Sequence, residues 1–280
     1  MTTTEDLNRQ LWTERAAGRA DRSWESIGTE PPGLGAEPVE LPGGPGLWLR
    51  PPGADDERVV LAIHGGGFVS GSITTHRRMF GHLARAAGVA TLLVDYGLVP
   101  EHVYPSQLDQ VEAAYRTLHG RRIVVAGDSC GATLALGLAL RARDHASPAP
   151  KGLLLFSAWA GLEATGDSYD TGSDPFFTRE LVTGLAVAYL AGADPSDPVA
   201  NPVQADLRGL PPTYLQAGAE ESLLDDSRVL AARMAEAGAE VRLDEFEGQL
   251  HTFQMAAGHS PVADEAIGRA GTWVRERLAT

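Results

Sequence analysis

Ser129 lies in the pentapeptide GDSCG, residues 127–131, directly after the apolar run Ile123–Ala126 and before a stretch with helical spacing. A serine at a sharp strand-to-helix turn is exposed to reactants, because the flanking glycines let strand and helix approach without Cβ clashes. The amino end of the following helix favours negative charge that develops nearby. The pentapeptide therefore predicts Ser129 as the nucleophile of an acyl-transfer reaction. Cys130 is the alternative nucleophile, but a lone cysteine next to a serine is more often a small buried apolar residue.

A second glycine-rich segment, HGGGF at residues 64–68, follows the apolar run Val59–Ile63. Bare backbone can approach a reacting carbonyl closely, so we expect the N–H groups of Gly66 and Gly67 to bind the oxyanion of a tetrahedral intermediate, together with that of Cys130. We expect His64 and Gly65, which precede these glycines, and Asp128, which precedes Ser129, to support the site. The imidazole of His64 would brace the glycine loop by hydrogen bonds.

His251 is the best candidate for the general base. It follows the apolar run Val241–Phe246 across a short turn, and it comes after both the serine and the candidate acids. A histidine on a loop beyond the carboxyl end of a strand can take the serine proton and return it to the leaving group. Six of the seven other histidines are expected to be either structural (His64 and His102) or solvated surface residues (His76, His82, His119 and His145), and His259 is given no role.

The acid that orients the base is expected after the run Thr213–Ala217, where four carboxylates compete within residues 218–226. Ser222 and Asp225 have the spacing of a capping box, with Ser222 as the N-cap of a helix. That assignment gives Asp225 and Asp226 a helix-dipole role and leaves Glu221 on the loop before the helix. Glu221 is therefore favoured, and Asp225 is the second candidate. Sequence spacing alone does not separate the two.

The elements that must position these residues alternate from about residue 58 onward. Six short apolar runs are predicted strands: Val59–Ile63, Ala90–Asp95, Ile123–Ala126, Gly152–Phe156, Thr213–Ala217 and Val241–Phe246. Six longer stretches are predicted helices: Ile73–Ala87, Ser106–His119, Cys130–Asp144, Phe176–Leu190, Leu223–Ala237 and Ala263–Leu278. Continuous apolar strands between helices indicate a mostly parallel sheet covered on both faces, the doubly wound α/β class. Ligands of such sheets bind beyond the carboxyl ends of the strands.

Two regions depart from this alternation. Residues 1–50 contain one predicted helix, about Thr4 to Gly18, followed by a loop rich in Pro and Gly. Residues 160–205 contain a helix between turn-rich segments. Both regions are predicted to be additions to the sheet rather than strands of it. We expect a single domain over residues 1–280.

Together these motifs resemble the hormone-sensitive lipase family of α/β-hydrolases, in its bacterial esterase branch. HGGGF, the Asp95-Tyr96 pair with Pro100-Glu101-His102 downstream, GDSCG, and Glu221–Ser227 followed by His251 occur in the order typical of that family. The resemblance implies an α/β-hydrolase fold, hydrolysis of carboxylic esters, and a helical cap formed here by about residues 1–40 and 160–205. The family register places its usual catalytic aspartate on Glu221, so this chain departs from the family in its acid, as it does with cysteine in place of alanine after the nucleophile.

Composition limits the partners of this 280-residue chain. A net charge of −14 disfavours binding to nucleic acid. No apolar run reaches the length that spans a bilayer, and residues 1–18 have no signal-peptide core, so no membrane insertion and a cytoplasmic location are expected. The single cysteine, Cys130, excludes an internal disulfide and a cysteine metal cluster. We expect no metal or organic cofactor and a small-molecule ester as substrate, and a homodimer stays open.

The expected substrate is a carboxylic ester with a short- to medium-chain acyl group, held in an apolar pocket. Candidate walls of that pocket are the large aromatic residues of the two additions and of the loops beside the motifs: Trp12, Trp24, Phe68, Trp159, Phe176 and Phe177. Alternatives stay open at this point, because fold and triad do not fix the bond broken or the acceptor. The same residues could open lactones or amides, transfer an acyl group to another acceptor, or catalyse an elimination. A binding protein on the same fold is a further alternative.

Overall fold

A computed structural model describes residues 6–20, 22–171 and 173–279 of the chain. Eight strands form one sheet in the order β1-β2-β4-β3-β5-β6-β7-β8. The strands are β1 (Gly35–Leu41), β2 (Gly44–Arg50), β3 (Arg58–Ile63), β4 (Ala90–Val94), β5 (Arg122–Asp128), β6 (Gly152–Phe156), β7 (Thr213–Gly218) and β8 (Val241–Phe246). β3 to β8 are mutually parallel, whereas β1 and β2 pair antiparallel at one edge.

The helices are α1 (Leu7–Ala16), α2 (Ile73–Ala87), α3 (Ser106–Arg116), α4 (Cys130–Asp144), α5 (Ser168–Thr171), α6 (Arg179–Leu190), α7 (Leu224–Glu236) and α8 (Pro261–Ala279). All six predicted strands and all six predicted helices are present, with ends displaced by a few residues. The helix predicted from Thr4 begins at Leu7, and the first five residues lie outside the described part of the chain.

Both faces of the sheet are covered. In β3, Val59, Leu61 and Ile63 are buried on the side of α3, α4 and α7. The alternate residues Val60 and Ala62 are buried on the side of α2 and α8. Because side chains alternate across a strand, a strand buried on both faces is continuously apolar, and such an apolar run predicts the strand from the sequence.

The expectation that residues 1–50 add no strand is wrong. β1 and β2 form a hairpin that extends the sheet, with Leu41 opposite Gly44 across its turn. β1 is an edge strand whose residues are mostly exposed, and it contains Pro38. An edge strand tolerates proline and needs no apolar run, so its sequence resembles a loop. Residues 160–205, in contrast, contain α5 and α6 and no strand in the part that the structure describes.

Candidate active site

Ser129 lies at the turn between β5 and α4, with φ 52° and ψ −123°. This left-handed backbone conformation is unusual for a residue with a side chain, and such strain is concentrated at functional positions. The turn requires glycine on the helix side, since a Cβ on Gly131 would overlap the carbonyl oxygen of Ile63. At this turn, the serine side chain lines a cavity above the carboxyl ends of the strands.

His251 lies beside Ser129, on the loop that follows β8. Its Nε2 is 2.9 Å from Ser129 Oγ, and both residues are buried. The Phe177 ring packs against the imidazole, with 4.3 Å between ring centroids. The structure thus brings together the serine and the histidine that the sequence predicts as nucleophile and base.

Glu221 faces the other side of the imidazole. Its Oε1 is 3.8 Å from His251 Nδ1, and its Oε2 accepts hydrogen bonds from Ser157 Oγ (2.7 Å) and Gly218 N (3.0 Å). One carboxylate oxygen is therefore held by the protein while the other faces the base.

Asp225, the second candidate acid, lies in the first turn of α7, where its Oδ2 accepts from the backbone N–H of Ser168 at 2.9 Å.

The predicted N-cap role of Ser222 is wrong. The N-cap of α7 is Leu223, which makes no side-chain cap hydrogen bond. The Ser168 hydroxyl accepts from the N–H of Asp225 (3.1 Å) and donates to the Ser222 carbonyl (2.6 Å). The hydroxyl of Ser168, which is 57 positions from Asp225 in the chain, thus satisfies an N–H group at the start of α7, and no local sequence pattern predicts this contact.

Ser157 is a site residue that the sequence analysis missed. It follows β6 directly, and its hydroxyl donates to Glu221 and accepts from the backbone N–H of Thr252 at 2.9 Å. It therefore links the loop of the acid to the loop of the base. Its position immediately after a parallel strand is the signal that could have identified it.

The glycine loop lies next to Ser129. Gly65 N donates to Asp128 Oδ1 at 3.0 Å, and a Cβ at Gly65 would overlap that carboxylate. Gly66 and Gly67 have φ of 121° and 64°, and both line the cavity with Ser129. Glycine is required in these conformations because side chains rarely adopt them.

His64 and Cys130 flank this loop. His64 Nδ1 donates to the Gly65 carbonyl at 2.8 Å, and its ring stacks on Tyr96 with 4.3 Å between centroids. Cys130 is buried, and its Sγ accepts from the backbone N–H of Phe68 at 3.3 Å. Burial raises the pKa of the Cys130 thiol to about 12, so the thiol is protonated at neutral pH and is a poor nucleophile.

His76 is not on the surface, as its sequence position suggested, but completely buried beside the site. Its Nε2 is 3.3 Å from Asp128 Oδ2, and the Trp24 ring packs against it. The first turn of α2 follows the glycine loop closely, which turns His76 toward the cavity.

Of the other histidines predicted at the surface, His119 and His145 are exposed, whereas His82 is half-buried.

The cavity has a volume of about 350 Å³. Four of the six aromatic residues suggested as walls line it: Trp12, Trp24, Phe176 and Phe177. The other two, Phe68 and Trp159, are instead buried in the core of the sheet. Asp174 supports the aromatic wall, since its Oδ1 accepts from the backbone N–H groups of Phe176 and Phe177, and burial raises its pKa.

α1 contacts the loop of the base directly. Trp12 Nε1 and Asn8 Nδ2 both donate to the backbone carbonyl of His251, at 2.9 and 3.1 Å. Arg9 donates to Glu220 Oε2 at 2.6 Å, on the loop that carries the acid. The amino-terminal helix thus holds both loops from outside the sheet.

Within the described ranges, no group of three or more His, Cys, Asp or Glu side chains is arranged to hold a metal ion. No helix in that part of the chain is both long and apolar enough to cross a membrane.

Comparison with known proteins places this geometry in a family. A family model described as alpha/beta hydrolase fold matches residues 60–255. An acetyl-hydrolase of Streptomyces hygroscopicus is 36% identical over 239 residues, which cover 81% of this chain and 78% of that protein. An esterase of Acinetobacter venetianus is 34% identical over 244 residues, with coverage of 84% and 80%.

Solved structures agree with the sequence relatives. An esterase from the bacterial hormone-sensitive lipase family superposes with a TM-score of 0.92 at 35% identity, over 99% of this chain and 100% of that one. The esterase EstE5, in a crystal soaked with p-nitrophenyl butyrate, superposes with a TM-score of 0.90 at 33% identity over the full length of both chains. The chain belongs to the α/β-hydrolases, in the bacterial hormone-sensitive lipase family.

Proposed function

We propose that this protein is a carboxylesterase that hydrolyses short- to medium-chain acyl esters through an acyl-enzyme on Ser129. The observation that carries the proposal is the 2.9 Å contact between Ser129 Oγ and His251 Nε2 at the base of a cavity of about 350 Å³. The relatives named acetyl-hydrolase and esterase support the same reaction.

In the first step, His251 Nε2 accepts the Ser129 proton while Oγ attacks the ester carbonyl. This role requires that the remaining imidazole proton is on Nδ1, which faces Glu221 Oε1 at 3.8 Å. The carboxylate favours that tautomer and stabilises the imidazolium that forms. Glu221 therefore orients the base and does not itself take a proton.

The negative charge on the substrate oxygen is then bound by the N–H groups of Gly66, Gly67 and Cys130. Removing one donor of this kind from a hydrolase typically costs about 3 kcal/mol of transition-state stabilisation. Asp128 supports the arrangement, because its hydrogen bond to Gly65 N fixes the loop relative to the nucleophile. His64 braces the same loop from its other side.

Collapse of the intermediate breaks the bond to the alcohol, which leaves with the proton from His251. Water then attacks the acyl-enzyme, and His251 accepts a proton from that water and returns it to Ser129. The products are a carboxylic acid and an alcohol, and no external cofactor takes part in this sequence.

We further propose that residues 160–205 and the residues that precede β1, rather than the whole of the predicted 1–40, act as a cap over the site. α1 and the loop before α6 contribute Trp12, Phe176 and Phe177, which surround the cavity with apolar rings. Their exclusion of water would favour the acyl or alcohol chain of an ester over a polar ligand. Residues 35–40 pair in β1, so the amino-terminal part of the cap ends before that strand.

Hydrolysis of 4-nitrophenyl butyrate by the purified protein tests the proposal, with the Ser129→Ala variant beside it. We expect release of nitrophenol by the wild type and a loss of at least about 10³-fold in the variant. A wild type that fails to hydrolyse nitrophenyl esters of any acyl length would contradict the proposal. The cytoplasmic location stays a prediction, which cell fractionation would test, and the question of a homodimer stays open to sedimentation.

A further inference from the structure

Arg15 lines the cavity that contains Ser129 and His251. It lies on α1 one helical turn after Trp12, whose ring forms part of the cavity wall and whose Nε1 donates to the His251 carbonyl. Residues three apart share a face of a helix, so both side chains are turned toward the site. Arg15 is the single Lys or Arg among the described residues that line this cavity.

The Arg15 guanidinium has no hydrogen-bond or ion-pair partner in the part of the chain that the structure describes. Its side chain is half-buried, and its Nε is buried without an acceptor. Other arginines near it are paired: Arg9 with Glu220 at 2.6 Å and Arg22 with Glu14 at 3.7 Å. A buried donor without an acceptor is costly, and a ligand that supplies the acceptor recovers that cost.

An anion satisfies a guanidinium best, and a carboxylate matches its two parallel donors. Eight of the other lining residues have apolar side chains, including Trp24 and Leu181, so the same cavity also favours an apolar group. The Asp128 carboxylate also lines the cavity, but Gly65 N and His76 already pair with it. The chain as a whole carries a charge of −14, which repels anions in general. A local cation at the site would therefore select a substrate with a single negative charge in a defined place.

We propose that the preferred substrates are esters that carry one carboxylate on the part of the molecule lying along α1, and that Arg15 binds this carboxylate. The inference rests on the proposed esterase function and narrows its substrate class. Arg15 is a specificity-determining residue here, because it contacts a remote group of the substrate rather than the reacting atoms.

Two matched pairs of substrates test the inference, one for each side of the ester bond. For the acyl side, 4-nitrophenyl butyrate is compared with the 4-nitrophenyl monoester of glutaric acid. For the alcohol side, methyl 4-acetoxybenzoate is compared with 4-acetoxybenzoate. Arg15→Met removes the charge but keeps an apolar stem, and Arg15→Lys keeps the charge. Arg85→Met is the control, since Arg85 is exposed on α2 and does not line the cavity.

We expect Arg15→Met to lower kcat/KM about tenfold for the anionic member of at least one pair, mainly through KM, and to change both neutral esters less than twofold. Added salt should weaken binding of that anionic ester to the wild type, and Arg15→Lys should restore part of the loss. Arg85→Met should leave all four substrates unchanged.

An equal loss on neutral and anionic esters, or no loss on either anionic ester, would overturn the inference. So would a wild type that hydrolyses the neutral esters but neither anionic one. Failure of the esterase proposal itself has a different outcome, because the neutral esters would then not be hydrolysed either.

Discussion

Replacing Glu221 by glutamine removes the charge that faces His251 while keeping the length of the side chain. The two residues are about 1% exposed and their closest charged atoms are 3.8 Å apart. At an effective dielectric constant of about 20, a carboxylate and an imidazolium at this distance attract by about 4 kcal/mol. Each 1.4 kcal/mol is a tenfold change in rate, so loss of this attraction predicts a fall in kcat of about 10³-fold.

The amide would also change the tautomer of the base. Gly218 N and Ser157 Oγ both donate to Oε2, so the amide oxygen of the variant would stay with them and its NH₂ would face His251 Nδ1. That arrangement favours an imidazole with its proton on Nε2, which cannot accept the serine proton. This effect acts in the same direction as the loss of charge.

The assay is kcat for 4-nitrophenyl butyrate, with circular dichroism to check that the variant is folded. Asp225→Asn is the matched control, because it removes a carboxylate in the same segment that contacts Ser168 and not the base. We expect the control to stay within about threefold of the wild type. Glu221→Gln with more than a tenth of wild-type activity, or a larger loss in Asp225→Asn than in Glu221→Gln, would refute the assignment of Glu221 as the acid.

Three further predictions concern groups around the site. Asn8→Asp replaces the donor to the His251 carbonyl by a carboxylate, so we expect kcat to fall about tenfold. KM should not change, because Asn8 does not line the cavity. An altered KM with a normal kcat would contradict this prediction. Cys130→Ala should keep activity within about threefold of the wild type. Iodoacetamide should not inactivate the native wild type, because burial raises the pKa of the Cys130 thiol to about 12. Rapid inactivation by iodoacetamide would contradict this prediction. Burial raises the pKa of Asp226 to about 7, so the folded state retains a proton between pH 4 and 7 that the unfolded chain has released, and stability falls as pH rises through this range. Urea unfolding should therefore show Asp226→Asn gaining about 3 kcal/mol relative to wild type between pH 5 and 8, and a constant difference would exclude this titration.

The sequence predicted most of the central sheet because its parallel strands are buried on both faces. The apolar runs of β3 and β6, for example, leave little choice of structure. β1 was not predictable in the same way. It is an exposed edge strand with a proline, and its pairing depends on β2 rather than on its own composition.

The candidate site was predictable to the extent that its residues follow strands. Ser129 and His251 could be placed from their positions after β5 and β8, since parallel strands end at one edge of the sheet. Glu221 and Asp225 were not separable by spacing, because both lie within one short segment and only the tertiary fold turns one of them toward the imidazole.

Contacts between distant parts of the chain were not accessible from the sequence. Asn8 donates to the carbonyl of a residue 243 positions away, and the Trp24 ring packs against the buried ring of His76. Such contacts are set by how α1 and the residues after it pack on the sheet, and local periodicity carries no information about that packing.

The covalent state of Ser129 tests the central claim most directly. Diethyl 4-nitrophenyl phosphate reacts with activated serines, and mass spectrometry of the digested protein locates the adduct. The account predicts one diethylphosphoryl group on the peptide that contains Ser129, no adduct at that peptide in Ser129→Ala, and much slower labelling in His251→Ala, whose missing base leaves the hydroxyl unactivated. Ester hydrolysis by a wild type that is labelled at another residue, or that is not labelled at all, would contradict it.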